Sequence, residues 1–268
     1  MTIFLIILGC VLLFYFLSLS GRRNHPGLQA LRGWAYAHRG LHGNGAPENS
    51  MKAFRRAKKA GYGIELDIHL LKDGNLAVMH DSLLARTTGA QGRIEDLTTQ
   101  QLPDYKLEGT EETIPTFQEV LDLFAGSAPL IVELKEVGNC ADLCEAACRM
   151  LDNYKGPYCL ESFDPRCVKW LKDHRPDLIR GQLAENYFKT KNSKLPGILK
   201  FVLGNLMLNF RTKPDFVAYK YADRKMLSFQ LCRKVWGQQT ALWTIKSQED
   251  FDIAVKQNAL PIFEGFTP

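Results

Sequence analysis

Little more than Lys72–Asn75 stands between the second and third strand-like runs of this chain, Ile64–Leu70 and Leu76–His80. A parallel connection needs a crossover of about a dozen residues, so these two runs must be antiparallel neighbours. Asp73-Gly74 at the centre supplies the turn, with Gly taking the positive φ that short hairpin loops require. The other strand-like runs are Trp34–His38, Leu130–Lys135, Tyr158–Ser162, Ile179–Leu183, Phe216–Tyr219, Ala241–Ile245 and Ile262–Glu264. Between most of them lie amphipathic stretches: Ser50–Ala60, Thr116–Phe124, Ala141–Leu151, Pro165–Lys172 and Gln248–Gln257. That rhythm signals βα units around a parallel sheet. With the return arm of the hairpin set aside, eight strands remain. The expected fold is a (β/α)₈ TIM-type barrel with a β-hairpin extension of the second strand.

The hairpin carries chemistry. A two-residue loop at Asp73-Gly74 places Lys72 opposite Asn75 and, counting back, Asp67 opposite His80. Glu65 and Asp67 share one face of their strand. The residues between and around them, Ile64, Leu66 and Ile68, are apolar, as if covered by helices, which turns the acids toward the barrel axis. Leu130–Lys135 repeats the pattern with Glu133 and Lys135 at its C-terminal end, where barrels of this kind carry their active sites. Buried charges must be paired or bound to metal. Glu65, Asp67 and Glu133 form an all-oxygen set that suits one hard divalent cation, Mg²⁺ or Ca²⁺. The first strand ends in Ala37-His38-Arg39-Gly40. Cleavage of a phosphodiester needs a base for the nucleophile and an acid for the leaving alkoxide, and His38 with His80 suits that pair near neutral pH. Arg39 and Lys135 are the cationic groups available to neutralise phosphoryl oxygens.

These residues fall in a recognisable order. His38-Arg39-Gly40, Pro47-Glu48-Asn49-Ser50, Glu65-Leu66-Asp67, Asp73-Gly74 and His80-Asp81 are followed by Ile114-Pro115-Thr116, Val132-Glu133-Leu134-Lys135, Ser162-Phe163-Asp164 and Trp243-Thr244-Ile245. The set resembles the glycerophosphodiester phosphodiesterase family from about Trp34 to the C-terminus. The resemblance implies His38 and His80 as the general acid/base pair, Glu65, Asp67 and Glu133 as cation ligands, and Arg39 and Lys135 as phosphate-neutralising residues. Trp243 reads equally as a contact for the alcohol moiety or as core. Glu48 and Asn49 organise the end of the first strand on this reading, whereas on local grounds Asn49 or Ser50 would cap the following helix. Many family members close with an Asp-Gly-Ile-Ile-Thr-Asp-type strand. Here Leu260–Phe266 departs from it, and no catalytic position is expected there.

Ile3–Leu19 is almost uninterruptedly apolar and uncharged, near the minimum for a bilayer-crossing helix. With Arg22, Arg23 and Arg32 following it, the expectation is a retained transmembrane anchor (residues 1–21), a linker (22–33) and a barrel domain (34–268) facing the cytoplasm. Leu195–Phe210 is apolar and flanked by Lys189, Lys191, Lys194, Arg211 and Lys213, a pattern for a segment lying on a membrane or for a helix packed on the barrel. Cys140, Cys144 and Cys148 recur every fourth residue and read as a buried helix face. The net charge of +5 comes without any long Lys/Arg block, so no nucleic-acid partner is indicated. The expected function is cation-dependent hydrolysis of glycerophosphodiesters, with lysophospholipids as an extension. The rivals are phospholipase C-like cleavage and an inactive phospholipid-binding module.

Overall fold

The computed structural model describes residues 1–135, 137–190 and 194–268, so Lys191 falls outside the described residues. Among the described residues nine strands form: β1 (Tyr36–His38), β2 (Gly63–Leu70), β3 (Leu76–Val78), β4 (Leu130–Leu134), β5 (Tyr158–Ser162), β6 (Arg180–Ala184), β7 (Phe216–Lys220), β8 (Gln239–Ile245) and β9 (Leu260–Phe263). Eight are parallel and close into a ring, because β1 pairs with both β9 and β2. The remaining strand, β3, lies outside the ring, antiparallel to β2. Side chains alternate across the barrel wall as a period of two requires. Ile64, Leu66 and Ile68 lie in the outer layer with Phe54, Phe117 and Phe124. Tyr36, Ile131, Cys159, Phe216 and Ile262 belong to a second cluster that fills the lower interior. Phe216 leaves no room beside it: a Cβ on Gly181 would sit 2.2 Å from its ring, so only glycine allows this approach.

Helices begin where the sequence offers caps. Ser50 accepts from the Ala53 amide (3.1 Å) at the start of a helix over Met51–Lys59. Thr116 and Glu119 form a reciprocal capping box ahead of Phe117–Phe124. Asn139 caps Cys140–Leu151, and Asp164 caps Pro165–His174.

Register in the hairpin differs from expectation by one residue. Ile68 pairs with Val78 and Leu70 with Leu76, so Asp67 faces Met79 rather than His80. The loop holds three residues, Lys72-Asp73-Gly74, with the Gly74 amide bonded to the Leu71 carbonyl (3.0 Å) and Gly74 at φ +82°. The Asp73 carboxylate explains the longer loop. It accepts from the Asn75 amide (3.2 Å) and from the Thr99 amide (2.8 Å), tying the turn to a neighbouring segment.

The expected anchor is corrected. The first helix spans Thr2–Ser18, 17 residues, or about 26 Å at 1.5 Å per residue against a hydrocarbon core of about 30 Å. Among the described residues no helix is long and apolar enough to cross a membrane, which overturns the membrane location and its sidedness. The last turn of this helix is occupied by the barrel domain instead. The Phe16 ring stacks on Trp236 at 4.9 Å, the Tyr15 hydroxyl donates to Asn205 (3.3 Å), and Ser18 and Leu19 are buried.

The arginines taken as a topological signal are largely structural. Arg22 donates to both oxygens of the fully buried Asp215 (2.5 and 2.6 Å) and to the Leu178 carbonyl (3.0 Å). Arg32 bonds to Gln239 (2.8 Å). Between them Leu28 and Leu31 plug the floor of the barrel, and the Tyr36 hydroxyl donates to the Leu31 carbonyl (2.6 Å). The apolar stretch 195–210 forms a helix over Gly197–Gly204, whose last carbonyl accepts from the Tyr219 hydroxyl (2.7 Å). Removing Arg22 leaves Asp215 as a buried charge without its counterion. Arg22→Ala should therefore lower unfolding stability by about 3 kcal/mol in urea denaturation, while exposed Arg23→Ala should change it by under about 0.5 kcal/mol. Equal effects would sink the structural reading of Arg22.

Candidate active site

Parallel register assembles the acids. His38 at the end of β1 lies opposite Glu65 on β2, and Asp67 lies opposite Glu133 on β4, which in turn lies opposite Glu161 on β5. All point into the upper barrel, and one oxygen from each of Glu65, Asp67 and Glu133 falls within 4.8 Å of the others. Asp67 is fully buried; Glu65, Glu133 and Glu161 are buried too. Lys135 reaches Glu133 at 2.8 Å and Asp67 at 3.5 Å. Arg39 reaches Asp67 at 3.5 Å through Nε, and its backbone amide donates to Glu65 (3.1 Å).

Charge is divided unevenly among these groups. Burial raises Asp67, but Lys135, His80, Arg39 and the Asn49 amide together outweigh it and hold the carboxyl far below the usual range. Burial and the neighbouring carboxylates push Glu65 up. Burial also raises Glu133, with Lys135 only partly offsetting it, and it raises Glu161 together with Glu133 and Asp67. Four acids thus compete for two cationic side chains. Asp67 Oδ1 and Glu161 Oε2 make no hydrogen bond, the nearest cation to the former being Lys135 at 3.5 Å. An all-oxygen donor set with unsatisfied buried oxygens fits a hard divalent cation.

Both histidines carry a carboxylate on Nδ1. His38 Nδ1 lies 2.5 Å from Glu264 Oε2, and His80 Nδ1 lies 2.5 Å from Asp81 Oδ1. In each case Nε2 is the nitrogen left for other chemistry, and that of His38 faces Glu65 at 3.9 Å. Burial pushes the His38 imidazole below its ordinary value, although Glu264 pulls the other way. The His38 hydrogen bond, with His42 nearby at 3.7 Å, holds Glu264 well below the usual carboxylate range.

Loop geometry connects the two sides. Arg39 (φ +53°) and Asn49 (φ +55°) both occupy the left-handed region, uncommon for side-chain-bearing residues. The Asn49 amide bonds back to the Arg39 carbonyl (2.9 Å), and its side chain donates to Asp67 Oδ2 (2.8 Å). Ser50 is therefore the helix cap, and Asn49 belongs to the acid cluster. Glu48 accepts from Arg39 (3.0 Å) and Arg86 (2.5 Å), and Arg86 also bonds to Asp81. A continuous ionic chain thus runs from Arg39 to His80.

The structure brings together every residue singled out above as catalytic, cation-binding or phosphate-binding. His80 arrives by a different route, since it lies beyond the paired end of β3. Its carbonyl lies 3.3 Å from His69 Nε2, the third inward residue of β2, whose Nδ1 is 2.8 Å from Glu95. Trp243 stands at the rim with its ring edge-on to Phe163 (5.6 Å) and Nε1 unbonded. Glu161, Glu264 and His69 escape the sequence patterns. Only the inward alternation of β2 could have flagged His69, and nothing in the departing stretch Leu260–Phe266 announced that Glu264 would contact His38.

Above the acids a cavity of about 680 Å³ opens. Its lining includes His80, Glu133 and Lys135, the Lys220–Glu185 ion pair, and the apolar side chains of Phe163, Tyr187, Leu195, Leu203 and Trp243.

The model of the glycerophosphoryl diester phosphodiesterase family matches residues 38–230. A glycerophosphodiester phosphodiesterase from Bacillus altitudinis is 41% identical over 107 residues, 37% of this chain and 43% of that protein. A lysophospholipase D from Rattus norvegicus is 35% identical over 116 residues, 38% of this chain and 36% of that protein. The chain thus spans less than half the length of these relatives. Among solved structures, an Oleispira antarctica phosphodiesterase in complex with the product sn-glycerol-3-phosphate superimposes with a TM-score of 0.72 at 21% identity, covering 91% of this chain and 95% of that one. A glycerophosphodiester phosphodiesterase from Thermotoga maritima gives 0.66 at 21% identity, covering 86% and 93%. With the barrel closed, its acids gathered at the C-terminal rim and the family model spanning most of the barrel, the chain belongs to the glycerophosphoryl diester phosphodiesterase family.

Proposed function

We propose that this chain hydrolyses glycerophosphodiesters to glycerol 3-phosphate and a free alcohol, using His38 and His80 and one divalent cation. The observation that carries the reading is the pair of carboxylate-backed histidines, His38–Glu264 and His80–Asp81, set around one acid cluster. The product bound to the Oleispira antarctica neighbour and the names of the relatives support the same substrate class.

Glu65, Asp67 and Glu133 would hold the cation, which when bound supplies Lewis-acid polarisation of the phosphoryl group. Arg39 and Lys135 lie beside those acids and neutralise charge that grows on the phosphoryl oxygens. A carboxylate on Nδ1 keeps each imidazole's Nε2 directed at the reacting centre and stabilises the imidazolium when it forms. One histidine takes a proton from the attacking water as the new P–O bond forms. The other gives a proton to the departing alkoxide as the old P–O bond breaks. The sum is one water consumed per diester cleaved.

Assay of glycerophosphocholine should show free choline released with Mg²⁺ or Ca²⁺ and no turnover in EDTA. His38→Ala should lower kcat by about 10²–10⁴-fold. Activity indifferent to EDTA would remove the cation, and phosphocholine in place of choline would assign the opposite P–O bond.

Glu264→Gln tests the tautomer role. It should cost about 10²-fold or more in kcat with KM little changed, as expected when a histidine loses its orienting carboxylate. A change confined to KM would instead make Glu264 a binding group.

The apolar wall of the cavity favours a diester that carries a hydrocarbon chain, and lysophospholipids, whose acyl chain stays with the glycerol phosphate while the head-group alcohol leaves, fit it. Phe163→Ala should raise KM for lysophosphatidylcholine several-fold more than for glycerophosphocholine, the loss of one buried aromatic contact being worth about 1–3 kcal/mol. Equal shifts for both substrates would speak against a lipid chain on that wall.

A further inference from the structure

Six of the seven cysteines are buried and all are free, yet the reaction above uses none. Three of them converge. Cys140 opens the helix Cys140–Leu151, Cys144 follows one turn later on the same face, and Cys167 comes from the adjacent helix Pro165–His174. Cys140 Sγ and Cys144 Sγ are 4.0 Å apart, and all three sulfurs lie within 4.8 Å of one another. Cys148, the third member of the stripe read from sequence, is not in the group; Cys167 takes its place from 23 residues beyond Cys144.

Buried thiols ordinarily pack as small hydrophobes. Two features argue for more here. Three sulfurs within 4.8 Å share a point no more than about 2.8 Å from each, so only a few tenths of an ångström of contraction reach a Zn–S distance of about 2.3 Å. The trio also stands at a helix N-terminus, where thiolate is favoured.

We propose that Cys140, Cys144 and Cys167 form a second metal site, distinct from the acid cluster, that binds one thiophilic cation of the zinc class. Thiolate sulfur selects soft or borderline ions, whereas the carboxylates of the barrel mouth select hard ones. Each thiol that ligates gives up its proton, so binding releases protons and weakens as pH falls. Cys144 and Cys167 are fully buried, and the residual exposure falls on Cys140, which marks the side of entry and of the fourth ligand position. The site would join two loops that shape the substrate cavity. Val137 precedes one of the ligating helices, Phe163 and Asp164 precede the other, and all three line that cavity.

The test uses the full chain carrying Cys10→Ser, to remove the exposed thiol, and Glu133→Gln, to weaken the acid cluster. Titration with Cd²⁺ as probe should give a thiolate-to-cadmium ultraviolet band saturating at one equivalent. Zn²⁺ should displace it, and saturating Zn²⁺ should slow alkylation of Cys140 by at least tenfold. Adding Cys167→Ser should abolish the band, while adding Cys148→Ser should preserve it. The proposal is overturned if the folded parent protein shows no band and unchanged alkylation, a result independent of whether Cys167→Ser folds. It is equally overturned if the band survives Cys167→Ser.

Discussion

Asp67 is a carboxylate with no exposure to solvent in the middle of a barrel, and the rest of the site follows from that. An isolated charge in such a place would cost far more than a domain's net stability. It persists because Lys135, Arg39 and the Asn49 amide surround it, drawn from three different segments of chain. Each of those partners is in turn held elsewhere: Lys135 by Glu133, Arg39 by Glu48, Asn49 by the Arg39 carbonyl. The strained φ values at Arg39 and Asn49 are the local cost of aiming two loop residues at one buried oxygen pair. The same arrangement leaves burial and mutual repulsion pushing Glu65, Glu133 and Glu161 up, so their ionised forms are not fully matched by the cationic side chains around them.

Much of this was legible in the chain alone, because strand periodicity and parallel register are local rules. Eight barrel strands and one hairpin arm follow from connection lengths, and the inward direction of Glu65, Asp67 and Glu133 follows from their apolar neighbours. The hairpin register did not follow. Asp73-Gly74 favours a two-residue loop in isolation, and only the Thr99 amide, from outside the hairpin, explains why the loop holds three. Glu161 was hidden for a related reason. Its significance comes from lying two strands from Asp67 at the same level, and its own strand, Tyr-Cys-Leu-Glu-Ser, shows nothing unusual. Cys167 likewise joins Cys140 and Cys144 only through helix packing.

The N-terminal segment shows where hydropathy misleads. A run of apolar residues followed by arginines carries the same composition whether it enters a bilayer or docks on protein. What separates the cases is length and what the flanking groups touch. Here the last turn stacks on Trp236, and Arg22 serves a buried aspartate at the barrel floor. The residues after the helix thereby become the plug of the barrel.

Closure of the ring has a temporal side. His38 sits on the first strand, but its carboxylate, Glu264, directly follows the last, and the two meet only because β1 and β9 are neighbours. During synthesis the acid cluster can gather once β5 has formed, whereas the His38 dyad must wait for nearly the whole chain. A partly made barrel would hold the acids while His38 still lacked the carboxylate that Glu264 brings to its Nδ1, so the contact joins residues from opposite ends of the barrel sequence.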